Sequence, residues 1–384
     1  VETLAGEEQV KLVMRSPQAL PFLLLLLALA AGPLLHAQQD SIPAATETEE
    51  DYSQYDDVDF VDKKAKRFGS IKIFDLSPQR FISAMWDIQG PYDMSFSPVG
   101  SFPEGSEVPV AENGRATYTG GLRLQASIPV VARNNIIWQL GANYWDTRYS
   151  ISPLFTTSSS AGLMQILENR GLRTTGLNTL VFKPLNETHF LIFQGNVDLS
   201  GNYFLDDPQS LRYVRYSAAL LWGKRPHDRL QWSIGLSRTY RVGAMNYIPV
   251  VMYNYTARSR KWGTEILFPA RVQYRRTFNP RSLLLAGYEL EGQSYRIAEL
   301  STNGNSLEIR RSELRMRVEH QRQLKGFVWL SIQAGYRYDW SFDADELPEG
   351  RDFLRGFFGE QPFAMLNSLG GAMYGQVGIH LVSP

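Results

Sequence analysis

From about Arg80 to the end of the chain, apolar and polar residues alternate with a period of two, in runs separated by turn-rich stretches. Val328, Leu330, Ile332, Ala334, Tyr336, Tyr338 and Trp340 fall on one face, with Ser331, Gln333, Gly335, Arg337 and Asp339 on the other. Leu230, Trp232, Ile234 and Leu236 oppose Gln231, Ser233, Gly235 and Ser237 in the same way. So do Leu122, Leu124, Ala126 and Ile128 against Arg123, Gln125 and Ser127, and Leu191, Phe193, Val197 and Leu199 against Gln194, Asn196, Asp198 and Ser200. Successive side chains of a strand point to opposite faces, so the pattern predicts strands with one apolar and one polar face. Strands of soluble domains usually run about five or six residues, whereas roughly 9–11 tilted residues cross a bilayer core. The long runs therefore favour an all-β, transmembrane antiparallel up-and-down β-barrel, apolar face to lipid and polar face to lumen, over a secreted multi-sheet β protein.

Connection lengths orient such a barrel, because periplasmic turns are short and outer loops long. Val131–Asn135, Leu185–Thr188, Lys224–Asp228, Asn279–Ser282 and Gln321–Lys325 read as short turns. Ser97–Ala116, Ser150–Asn169, Gly201–Ser210 and Ser341–Gly370 read as outer loops. The predicted crossings are 80–96, 117–129, 136–149, 170–183, 188–200, 211–223, 229–241, 283–297, 305–320, 326–340 and 371–382. Parity then demands an odd number of crossings within 242–278. Tyr247–Thr256 and Gly263–Phe278 give two. Splitting the second at Phe268-Pro269, where proline interrupts a ladder, gives three and a 14-stranded barrel. Merging the region into one crossing gives 12, and the unbroken alternation from Ile266 to Tyr274 speaks against the split. Fourteen is the expectation. Trp138, Trp222 and Trp232 near the short turns, and Tyr144, Tyr240, Tyr338 and Trp340 near the long loops, fit two aromatic belts.

The N-terminus supplies an address. Arg15 followed by the apolar run Leu20–Ala31 and ending at Leu35-His36-Ala37 is secretory-signal anatomy over 14–37, with cleavage expected after Ala37. Residues 1–13 read as an upstream mis-start. Residues 38–67 hold eight acids between Glu47 and Asp62, then Lys63, Lys64, Lys66 and Arg67, and read as a disordered linker. The expected location is the bacterial outer membrane. Net charge over the whole chain is zero, yet Phe68–Pro384 keeps 33 basic against 27 acidic residues. That balance argues against nucleic acid as a partner. The absence of cysteine removes disulfides and thiolate chemistry.

At Pro249–Tyr255, Trp262–Ala270 and Gly287–Arg296 the chain resembles an uncharacterised outer-membrane β-barrel domain family of Gram-negative bacteria, a domain of unknown function, over about residues 75–384. The resemblance implies fold and location and assigns no activity. Barrels of this kind usually end in an aromatic residue read by the barrel-assembly machinery, whereas this sequence ends Gly378-Ile-His-Leu-Val-Ser-Pro384.

No nucleophile elbow, phosphate loop, metal cluster or cofactor motif stands out. His189, His227, His320 and His380 all fall toward the short turns, away from the outer leaflet where a lipid-modifying barrel would place its base. No catalytic residues, metal ligands or cofactors are expected. Period two does assign a lumen-lining set: Arg123, Arg215, Arg241, Arg271, Arg275, Arg315, Arg317 and Arg337, with Asp87, Asp198, Glu265, Glu289, Glu291, Glu319 and Asp339. One reading is a lumen cross-braced by Arg–carboxylate pairs; the other is a polar pore for a small polar or anionic solute. Membrane lipid is the expected partner of the outward face. The long stretch Ser341–Gly370, apolar at Phe353–Phe358 and Pro362-Phe363, is expected to fold into the mouth as a plug or to present a binding surface.

Overall fold

The computed structural model describes residues 73–99, 111–152, 162–206, 214–242, 244–302, 305–346 and 363–382. The expected signal peptide, the linker and the Phe353–Pro362 part of the expected plug lie outside these residues. Two strands, β1 (Arg80–Gln89) and β2 (Tyr92–Pro98), make the first crossing, followed by β3 (Glu112–Arg133) and β4 (Ile136–Ser152). A short helix, α1 (Leu163–Arg170), precedes β5 (Leu172–Pro184), β6 (His189–Gly201), β7 (Val214–His227), β8 (Leu230–Val242) and β9 (Ala244–Thr256). The chain continues through β10 (Trp262–Phe268), β11 (Arg271–Asn279), β12 (Ser282–Thr302), β13 (Asn305–Lys325) and β14 (Val328–Ser341). Its last elements are β15 (Ala344–Glu346), β16 (Phe363–Leu369) and β17 (Ala372–Val382). Neighbours pair antiparallel, and β1 pairs with both β3 and β17, closing a barrel of 14 crossings.

The split at Phe268-Pro269 is real. Leu267 pairs with Arg271 and Ile266 with Val272, so residues of like parity share a face on both sides of the turn. Alternation therefore runs through this hairpin unbroken and could not have excluded it. Other boundaries differ from expectation. β3 begins at Glu112, inside the stretch read as a loop over Ser97–Ala116; α1 begins within Ser150–Asn169 and ends just past it; β15 and β16 lie within Ser341–Gly370.

Burial is inverted relative to a soluble protein. Ile82, Trp86, Ile88, Leu220, Trp222, Ile234, Leu236 and Ile332 are exposed, while Ser83, Asp87, Gln231, Ser233, Ser331 and Gln333 beside them in the strands are buried. That is the fold of a transmembrane β-barrel, in which closure leaves every ladder hydrogen bond internal.

The interior is not uniform along the barrel. At the long-loop end, Tyr92, Met94 and Phe96 of β2 pack with Tyr149, Ile151, Leu163 and Leu167, and with Tyr295, Ile297, Leu307, Ile309 and Phe342 from the β12–β15 side of the wall. The first crossing reaches this core by changing parity. Odd residues Ser83, Asp87 and Gln89 are buried in β1, but even residues Tyr92, Met94 and Phe96 are buried in β2, across the break at Gly90-Pro91. The neighbouring β3 makes the same change at its register shift between Ala116 and Tyr118. One crossing thus turns a polar face inward over one half and an apolar face over the other.

Two strands, β10 and β11, are short, so among the described residues the wall above Phe268 has no strand between β9 and β12. There β12 leans inward until Arg296 bridges Gly201 at the end of β6, and the Arg296 carbonyl accepts the Asn202 N–H at 3.1 Å. A Cβ on Gly201 would sit 2.7 Å from that carbonyl, so the close approach needs glycine. On β9, the Thr256 N–H bonds toward β8 and the Ala257 N–H toward β10, which directs the N–H groups of odd residues to the β10 side. The first unpaired odd residue beyond the Val251–Phe268 pair is Pro249, which has no N–H to leave orphaned.

Candidate functional site: the barrel interior

On the short-turn side of this core, at mid-height of the barrel, buried ionic groups from well-separated strands meet. Arg123 on β3 donates to Glu291 on β12 through both terminal nitrogens, at 2.9 and 2.8 Å, and lies 2.9 Å from Asp87 on β1. In the wall, β1, β17, β14 and β13 stand between β3 and β12, so this pair spans the interior. Arg315 on β13 joins the same acids, 2.8 Å from Asp87, 3.2 Å from Glu291 and 2.5 Å from Glu313. Arg311 forks onto Glu313 at 3.1 and 2.7 Å. Arg337 and Asp339 of β14 complete the group at 3.9 Å from Glu313 and Arg311 respectively. Arg337 also donates to the Gly370 carbonyl and lies over the Tyr92 ring at 4.2 Å. This is where the ionic layer meets the apolar core.

Desolvating such groups costs about as much as their mutual attraction returns. What the arrangement contributes is register: the guanidinium forks of Arg123, Arg311 and Arg315 fit carboxylates on particular strands.

The remaining sequence-assigned residues fall into smaller groups. Arg275, fully buried, donates to Glu265 at 2.7 Å and to the Thr256 hydroxyl at 2.8 Å. Glu319 accepts from Arg80 and from Gln321. Arg317 pairs with Glu289 at 2.5 Å. Arg271 sits in register with Glu289 on β12. Arg215 forks onto Glu308 at 3.1 Å through two nitrogens. Asp198 accepts from Asn143 at 3.3 Å and from the Tyr240 hydroxyl. Tyr240 is therefore buried and not part of an outward aromatic belt, which corrects the expectation for it. The Arg241 side chain lies outside the described residues.

Sequence reading missed Arg311 and Glu313, although they continue the odd-numbered face of Arg315, Arg317 and Glu319 and were open to the same period-two argument. It also missed a strap formed by residues 73–79. Phe74 donates its N–H to the Asp228 carbonyl and accepts from Thr256, while the Ser77 N–H and hydroxyl donate to Glu265 at 2.9 and 2.8 Å. These partners lie on the wall opposite β1, so the strap crosses the short-turn mouth. Nothing periodic marks this segment.

The long-loop half is filled by α1. Leu163, Met164, Ile166 and Leu167 are buried, and Glu112 at the start of β3 accepts the Met164 N–H at 3.1 Å, doing the capping that Gly162 cannot. Gly171 ends the helix in the left-handed region with φ 67°.

The histidines are structural neighbours of hydroxyls. His380 bridges Ser331 at 2.7 Å and Ser83 at 2.8 Å, tying β14, β17 and β1 together at the closure. His320 meets Ser282 at 3.0 Å, and His189 stacks on Trp222. His227 sits in the β7–β8 turn region, within reach of the Arg229 N–H at 3.3 Å. Among the described residues no cluster of His, Asp and Glu is placed to hold a metal.

The short-turn rim is basic. Its hairpins carry Arg133; Lys183; Lys224, Arg225 and Arg229; Arg258, Arg260 and Lys261; Arg276 and Arg281; and Arg322 and Lys325, against Glu187 and Asp228. Just above it Trp222 packs on Trp232, and Trp262 packs on Tyr255 and Tyr274.

Fold and interior together define a closed transmembrane barrel whose described inward residues are ionic in one zone and apolar in another. The chain belongs to the family described as domain of unknown function DUF6268, whose model matches residues 172–382 and includes all three segments that suggested a resemblance. No curated protein matches. Among solved structures it is similar to an outer membrane channel of the COG4313 group from Pseudomonas putida F1, at 12% identity and TM-score 0.36, covering 79% of this chain and 96% of that one. A FadL homologue from Pseudomonas aeruginosa gives 10% and 0.34, with 78% and 90% covered. The Escherichia coli outer membrane protease OmpT gives 6% and 0.25, with 82% and 99% covered.

Proposed function

We propose that this protein is an outer-membrane β-barrel of Gram-negative bacteria with a sealed interior and a structural role, its short turns in the periplasm and its long loops outside. The observation that carries the reading is the contact of Arg123 with Glu291 across the interior, in a half-barrel where Arg275, Arg315 and Arg337 are also buried. Ion passage needs a hydrated path, and guanidinium groups held between opposite walls occupy it. We read the protein as non-enzymatic: both ring nitrogens of His380 meet serine hydroxyls, so neither has the carboxylate that orients a catalytic base. Folded protein in planar bilayers should show no steady conductance, and stable ohmic channels would overturn the proposal.

A second reading, a channel for a small polar or anionic solute closed by the strap, draws on one observation. The polar contacts of residues 73–79 with the far wall are a few hydrogen bonds. It requires conductance once residues 73–79 are deleted, whereas the sealed-barrel reading expects silence from that variant too.

A further inference from the structure

The outward face carries an apolar groove of about 430 Å³ at the seam where the barrel closes, lined by Phe81, Ile82, Ile128, Pro129, Phe327 and Leu381. The path of the chain creates it. Because the strap reaches β1 from across the interior, β1 starts only at Arg80, and its pairing with β3 starts at Ile82–Ala126. The adjacent β3 runs on to Arg133, leaving its lower end without a partner on the β1 side. Across the seam, Phe81 bulges between the Arg80–Val382 and Ile82–Leu381 pairs. Pro129 and the register shift beside Val130 blunt the open edge of β3 against pairing with another strand. What is left is a cleft with apolar walls on a lipid-facing surface.

Two of the chain segments that line the groove run from it into the basic rim. Lys325 lies two residues from Phe327 and Arg133 four residues from Pro129, and both are exposed with no acidic partner among the described residues. An apolar slot whose walls run down to exposed cations matches one amphiphile: hydrocarbon chain above, phosphate below. We propose that this seam groove seats an acyl chain of an anionic phospholipid whose phosphate lies between Lys325 and Arg133. The chain covers the unpaired edge of β3, and the phosphate takes charge-assisted hydrogen bonds from the guanidinium and ammonium groups. A zwitterionic lipid offers the same chain, but its headgroup amine opposes the basic rim. The inference rests on the membrane reading and goes beyond it, by naming a lipid class and a place.

Native mass spectrometry of the full chain tests it, after incubation with phosphatidylglycerol or with phosphatidylethanolamine. Folding is checked first by heat-modifiable mobility on gels. Phosphatidylglycerol should stay bound, and the double variant Arg133→Gln/Lys325→Gln should lower its retention about tenfold or more. Ile128→Trp, which fills the groove, should lower retention of both lipids. Arg258→Gln/Lys261→Gln, on the β9–β10 turn of the same rim, should leave phosphatidylglycerol retention unchanged. Equal retention of the two lipids by the wild type overturns the proposal. So does equal loss in the two double variants, which would mean a diffuse collar and no seat. Displacement of phosphatidylglycerol by soluble heparin would assign the rim to a polymeric anion instead. A chain that never becomes a heat-modifiable barrel overturns the membrane reading itself, whereas a folded barrel that retains no phosphatidylglycerol overturns only the lipid seat.

Discussion

The two halves of the barrel interior are built from the same strands by opposite means. Toward the long loops, β2, β12, β13 and α1 meet in an apolar core resembling that of a soluble domain, with the Arg215–Glu308 pair beside it. Toward the short turns, β1, β3, β12, β13 and β14 meet through arginines and carboxylates. On β13 the change occurs within one face: Leu307 and Ile309 give way to Arg311, Glu313 and Arg315 without a break in alternation. A barrel wall therefore does not dictate a hydrated lumen. In the sealed barrel proposed above either kind of interior closes it, and the two should fail differently when a residue is removed.

The ionic half should be the more fragile. Arg315→Met leaves Asp87, Glu291 and Glu313 without their shared cation. Breaking a buried ionic group by removing one partner costs about 3–5 kcal/mol. Urea unfolding of vesicle-inserted protein should report a loss of that size, and a loss no larger than that of an exposed-face variant would show that water reaches these groups. In the apolar half, Leu167→Ala should cost about 2–4 kcal/mol as a cavity opens beneath α1. The same unfolding series measures it, and the effect should be insensitive to salt. Smallest is Ser77→Ala, which removes one of the two hydrogen bonds holding the strap to Glu265 and should cost about 1 kcal/mol. Its readout is faster amide exchange in residues 73–79 with unchanged exchange in the strands.

Much of the ionic half was legible in the sequence, because period two places Arg123, Arg315, Arg337 and Glu291 on inward faces without knowledge of their partners. The apolar half was not. Gly90-Pro91 and the bulge near Thr117 exchange the inward and outward faces, and a single alternating pattern drawn through 80–96 cannot show that exchange. The strand count was legible only through proline: Phe268-Pro269 marked a turn that hydrophobic periodicity runs straight through. The strap and α1 carry no periodic signature, since each is held by tertiary contacts such as Ser77–Glu265 and Glu112–Met164 that join residues far apart in the chain.

The chain has no cysteine, so any introduced thiol is the sole one. The most direct test of a sealed interior is the reactivity of Gln333→Cys, buried between the walls, with a small charged thiol reagent added to folded protein in vesicles. Arg258→Cys, exposed on the rim, gives the reference rate. The sealed barrel predicts rapid labelling of Arg258→Cys and essentially none of Gln333→Cys until the protein is unfolded. Comparable rates at the two positions would mean that water and solute pass through the ionic half, and would contradict the account.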